Sequence, residues 1–101
     1  MHPITDLAEE LANHKPNRLV TLAETESFVM MGQRIRGEHL FNHVNDHHDE
    51  VIYVLRGRLS LRLGDQRHEL SAGQTIKFPK GVAHGDLISE EAEILVLEGK
   101  E

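Results

Sequence analysis

His43, Glu50 and His84 are the residues of this chain best able to do chemistry together. Two neutral imidazoles and a carboxylate form a donor set suited to a divalent transition metal such as Fe, Mn, Ni, Zn or Cu, with the carboxylate offsetting part of the cation's charge. Ligands of this number leave positions open for water or substrate. Such a site can activate a substrate oxygen, polarise a carbonyl or bind O2. Asn45 lies two residues beyond His43, and residues two apart on a strand share a face. Its amide is therefore expected in the same space. Asp46-His47-His48-Asp49 is a polar break of hairpin length. Glu50 then opens the returning strand, where it shares a face with Ile52 and Val54 and is expected to meet His43 and Asn45 across the hairpin. His84 follows a second turn and enters from a neighbouring strand. Gly57, Gly73 and Gly81 suit turns that need a permissive backbone, and Pro79 fixes φ before the last of them.

The elements that must hold these groups are mostly strands. A single helix reads clearly, at the start, where Ile4, Leu7, Ala8, Leu11 and Ala12 follow a helical stripe. Asp6 can cap it, with Glu9 completing a capping box, and Pro16 ends it. After Asn17 the chain reads as strand. Leu19–Ala23 and Ser27–Met31 are short apolar runs, and Gln33–Phe41 alternates. Val51–Leu55 and Ile94–Leu97 are continuously apolar, which predicts strands covered on both faces. Leu59, Leu61 and Leu63 form a half-buried strand, followed by a tight turn over Leu63-Gly64-Asp65-Gln66. Gln74–Phe78 is another strand. Many short strands punctuated by Gly and Pro predict a sandwich or barrel. Phe28, Met30, Ile35, Phe41, Ile52, Val54 and Phe78 are expected in its core or pocket wall. The organisation expected is an N-terminal helix and lead-in over 1–16 and a single β domain over 17–101.

The bulk numbers set limits. A length of 101 residues suits one domain. The formal net charge of -6, with no concentrated basic patch, argues against nucleic acid and anionic membrane as partners. Arg56, Arg58, Arg62 and Arg67 fall on one hairpin, but Asp65 and Glu69 lie among them and a solvated strand edge is expected. Without cysteine, thiolate metal sites, disulfides and cysteine nucleophiles are excluded. No apolar run nears the ~20 residues that span a bilayer. Neither a basic n-region nor an apolar h-region opens the chain, so a cytoplasmic location is expected.

The spacings Gly37-x5-His43-x-Asn45-x4-Glu50-x6-Gly57 and Gly73-x5-Pro79-x-Gly81-x2-His84 closely resemble the two motifs of the cupin superfamily. The resemblance runs from Gly37 to Ile88. It implies a small antiparallel β-barrel of jelly-roll type, a metal in its mouth and often a homodimer. Asn45 stands where the family carries another histidine, and Ile88 where it carries an asparagine. An amide oxygen is a weaker ligand than imidazole. Asn45 is therefore expected either to ligate directly or to hydrogen-bond next to the metal, with His43, Glu50 and His84 as the principal ligands. His47 and His48 read as an exposed turn able to swing in. Glu50 and His39, which shares strand parity with Phe41 and His43, are the candidates for acid–base work.

Tyr53 lies on the strand face opposite Glu50, and with Val51 and Leu55 makes that face apolar too. The N-terminal helix, another strand or a second subunit must cover it, so a homodimer is expected on burial grounds as well. Three functions fit. The first is a metal-dependent oxygenase, isomerase or lyase acting on a small molecule. The second is a cupin that holds a small ligand without turnover. The third is a barrel whose weakened site is vestigial.

Overall fold

The structure, a computed structural model, describes residues 4–100. Met1 to Pro3 of the expected lead-in, and Glu101, lie outside the described residues. The helix forms as α1, Leu7–Ala12. Asp6 caps it by accepting from the Glu9 backbone N–H at 3.0 Å, which satisfies one of the first-turn donors that no helical carbonyl can reach. Its apolar stripe buries Leu11, 1% exposed. The seat is a flat patch at Gly32, where a Cβ would stand 3.2 Å from both Leu7 and Leu11.

Six strands follow: β1 Leu19–Glu24, β2 Phe28–His43, β3 Glu50–Leu63, β4 Gln66–Ser71, β5 Thr75–Phe78 and β6 His84–Gly99. They pair antiparallel in the order β1-β2-β6-β3-β4, with β5 on β3. The antiparallel, β-rich architecture is as expected, and the ladder is open at β1 and β4. Two expectations need correction. The runs 27–31 and 33–41 are one strand, β2, and the runs 51–55 and 59–63 are one strand, β3. Gly32, Arg56 and Gly57 interrupt the apolar pattern without interrupting the pairing. The hairpin expected around the 63–66 turn forms, with 66–71 as its returning strand. Finally, β2 and β3 do not form a hairpin with each other. β6 lies between them and pairs with both, because its sixteen residues can satisfy both ladders at once.

The sheet curls strongly. His84 is the register partner of Leu63, at the far end of β3 from Glu50. Thirteen steps of extended chain would separate those positions by roughly 40 Å. Yet His84 Nε2 lies 3.5 Å from Glu50 Oε2. Register shifts along β3–β6, at Val54/Arg56, Gly57/Ser60 and Ser60/Arg62, supply the bends. Gly57 is needed at one of them. Its φ is +80° and a Cβ there would meet the Glu91 carbonyl at 2.1 Å. Gly85 serves the β2–β6 ladder similarly, since its Cβ would fall 1.8 Å from the Phe41 carbonyl.

Inside the curl lies the core of Ile35, Ile52, Val54, Leu59, Leu61, Phe78, Ile94 and Val96. Phe41 packs against it part-buried. Phe28 departs from expectation at 39% exposed, because it starts β2 opposite Gly99 at the sheet's end. On the outer face Val51, Tyr53, Leu55, Leu95 and Leu97 are half-buried, and Val51 faces Leu97 and Tyr53 faces Leu95 across β3–β6. No helix among the described residues is long and apolar enough to cross a membrane.

Candidate metal centre

His43, Glu50 and His84 converge. One ligand atom from each lies within 4.8 Å of the others. They come from three strands: His43 ends β2, Glu50 begins β3 and His84 begins β6. His43 and His84 are direct register partners, with ring centroids 5.2 Å apart and planes at 78°. Phe78 stacks on His84 at 4.2 Å and 16°, which fixes the plane of the imidazole. Glu50 is 8% exposed and His84 3%, while His43 is solvent-exposed and closes the site from outside.

The electrostatics show what the cluster lacks. Burial, reinforced by the charge of Glu98, pushes the Glu50 carboxyl up to about 7. Burial, then the neighbouring charge of His43, holds His84 below its ordinary value. His84 therefore favours the neutral, ligating form beside a carboxylate that ionises reluctantly. His84 Nδ1 is buried without a hydrogen-bond partner. A buried carboxylate beside a neutral His84 is short of positive charge, and a dication supplies it. With metal–ligand bonds of about 2.0–2.2 Å, ligand atoms stand up to roughly 4.3 Å apart, so the cluster needs only slight contraction. The donor set fits a divalent transition metal.

Asn45 takes a different position from the triad. Its Nδ2 donates to Glu98 Oε1 at 2.7 Å. Its Oδ1 accepts from the backbone N–H groups of His47, at 3.1 Å, and His48, at 3.0 Å. Its carbonyl accepts from Gly81 N at 2.7 Å. The amide oxygen thus caps the 46–49 turn, and the amide nitrogen grips a second carboxylate. His47 is exposed and His48 half-buried. His48 packs beside Gly99, and neither joins the metal-ligand cluster.

An open cleft of ≈ 530 Å³ leads to the triad. Phe41, Ile52, Phe78, Leu87 and Val96 give it apolar walls. His39 lines it too, its ring 5.0 Å from that of Phe41. Gln33, Asn42 and Glu98 also line it, and sequence reasoning missed all three. A signal existed for two of them: Glu98 continues the inward parity of Ile94 and Val96, and Gln33 that of Ile35. Asn42 is placed by the Arg62 guanidinium, which donates to Asn42 Oδ1 at 2.7 Å and to Asp86 Oδ2 at 3.1 Å. That pairing is invisible before the topology is known.

Comparison with known proteins agrees with this fold. A family model described as Cupin domain matches residues 30–98. A cupin-2 domain containing protein from Shewanella frigidimarina has a similar structure, with TM-score 0.83, 26% identity and coverage of 96% of this chain and 95% of that one. KdgF from a Halomonas species superposes with TM-score 0.74 at 20% identity, covering 82% of this chain and 77% of its own. Hydroquinone 1,2-dioxygenase from Sphingomonas sp. TTNP3, solved with 4-hydroxybenzoate bound, does so with TM-score 0.80 at 18% identity, covering 94% and 72%. No curated protein matches the sequence.

Proposed function

The chain belongs to the cupin family, and on that premise we propose that it binds one divalent transition metal through His43, Glu50 and His84 and presents it to a small molecule in the adjoining cleft. The observation that carries the reading is the buried, charge-starved Glu50 carboxylate between two imidazoles. When bound, the metal supplies Lewis-acid or redox chemistry at its open positions. The chain's own residues do the rest. Phe78 holds the His84 ring, Glu50 supplies the compensating charge, and Phe41 and Leu87 exclude water from one side of the cleft. His39, on the cleft wall beside Phe41, is within the space where a substrate proton is handled. Asn45 acts beside the metal rather than on it, by holding Glu98 and the 46–49 turn.

The curled sheet is part of the same reading: a jelly-roll barrel whose mouth carries the site. So is a homodimer formed through the outer face, where Phe28, Val51 and Leu97 leave an apolar cleft that α1 does not reach. The family has relatives among enzymes, one of them a dioxygenase, and this supports an oxygenase, isomerase or lyase. A second reading, binding without turnover, is favoured by one observation: Asn45 spends its amide on the fold, so the metal has three protein ligands and a weaker hold. Elemental analysis of protein made without a chelating tag tests the metal. One transition metal per chain is expected, lost in the double variant His43→Ala/His84→Ala. Metal content unchanged in that variant would sink the proposal.

A further inference from the structure

The cleft also carries information about its occupant, on the reading above that it holds a small molecule beside a metal. Its lining includes two carboxylates, Glu50 and Glu98, and no lysine or arginine. Arg62, whose charge reaches His84, is turned away from it. Its guanidinium is committed to Asp86, Gly64 O, Phe41 O and Asn42 Oδ1. An anionic group inside the cleft would find the metal as its single positive partner.

The polar side chains on the wall are oriented by the fold, and the orientation leaves acceptors exposed. Gln33 is 4% exposed and points inward with Ile35. Its Nε2 donates to the Asn17 carbonyl at 2.8 Å, which settles which end of the amide is which. Among the described residues nothing donates to Gln33 Oε1. Glu98 behaves similarly. Asn45 donates to Oε1 at 2.7 Å, and Oε2 has no donor among the described residues. The register sets Glu98 directly across from Glu50, at the metal end of the cleft. Gln33 pairs with Ile94, two inward-facing rows deeper. Between the two acceptors stand Ile52, Phe78, Leu87 and Val96. Asn42, exposed at the rim, retains a donor, and His39 serves either way by choice of tautomer.

We infer that the site selects an uncharged small molecule with an apolar body and O–H or N–H donors at both ends, one for Glu98 beside the metal and one for Gln33 in depth. A molecule with a second anionic group beyond the metal is rejected by Glu98 and finds no cation. A molecule without donors seals these acceptors from water without pairing them.

Three probes of similar length separate these cases: 4-(hydroxymethyl)phenol, its bis-methyl ether and terephthalate. Dissociation constants are measured by ligand-observed NMR on chelator-treated protein and on zinc-loaded protein. In the chelated protein the diol is expected to bind at least about tenfold more tightly than either other probe, the size of effect a buried unpaired acceptor produces. Gln33→Met and Glu98→Gln each shrink that margin, and Glu98→Gln also strengthens terephthalate. The ranking on the unsubstituted protein stands even where a variant fails to fold. Terephthalate or the ether binding as well as the diol would overturn the inference. So would a folded pair of variants with unchanged ranking, or no binding of the diol at all. Failure of zinc to bind removes the metal reading instead, while the ranking in chelated protein still decides this one.

Discussion

Glu50 is where the account is most exposed to measurement. Its folded value of about 7 stands above the ordinary 4.5, so between those values the native state holds a proton that the unfolded chain releases. Metal-free protein is expected to lose stability as pH rises from 4.5 to about 7, by roughly 3 kcal/mol in total. His84 works in the opposite sense. Its value is lowered, so stability falls as pH drops below the ordinary 6.5 and the unfolded chain takes up the proton first. Denaturant titrations of wild type and Glu50→Gln across this range isolate the Glu50 part: the variant should lack the decline and be more stable at pH 8 without metal. A parallel decline in both proteins would show that Glu50 is not the group concerned. Metal affinity should rise with pH up to about 7, because binding displaces the Glu50 proton. Asn45→Ala should cost about 1–2 kcal/mol through the uncapped 46–49 turn and the freed Glu98, read as a lower urea midpoint.

Among the elements, β2, β3 and β6 build the site, and their bends decide whether it closes. Gly57→Ala adds a Cβ 2.1 Å from a backbone carbonyl at positive φ, and is expected to cost about 3 kcal/mol or more and to lower metal content. Gly37→Ala has the same sign of φ and nothing within 4 Å, so about 1 kcal/mol is expected. Equal midpoints in urea for the two variants would contradict the bending role of Gly57. The same strands show how far the sequence could be read. Strand type, the inward parity of Glu50, Ile52 and Val54, and the convergence of His43, Glu50 and His84 were all legible, because period-two alternation and spacing are local. The β6 strand between β2 and β3 was not, since pairing partners are set by long-range register. Asn45 shares parity with His43, but it lies beyond the end of β2 at His43, where alternation no longer dictates direction. Its side chain therefore turns to the loop and to Glu98.

At the level of the whole molecule, a thin, curled sheet must cover both faces. Its inner face is filled by core residues and the cleft. Its outer face is covered at Gly32 by α1 and is apolar at Val51, Tyr53, Leu95 and Leu97 beyond it. If a second copy covers that face, Leu97→Glu should shift the solution mass from dimer to monomer in light scattering, with metal content unchanged. A monomeric wild type would remove the dimer from the account. The central claim is that this cupin holds one metal between His43, Glu50 and His84. It is tested most directly by elemental analysis of tag-free protein combined with an anomalous-scattering map. The account predicts one transition metal per chain with a peak between the three side chains, absent from His43→Ala/His84→Ala. No metal after reconstitution at pH 8, or a peak elsewhere, would contradict it.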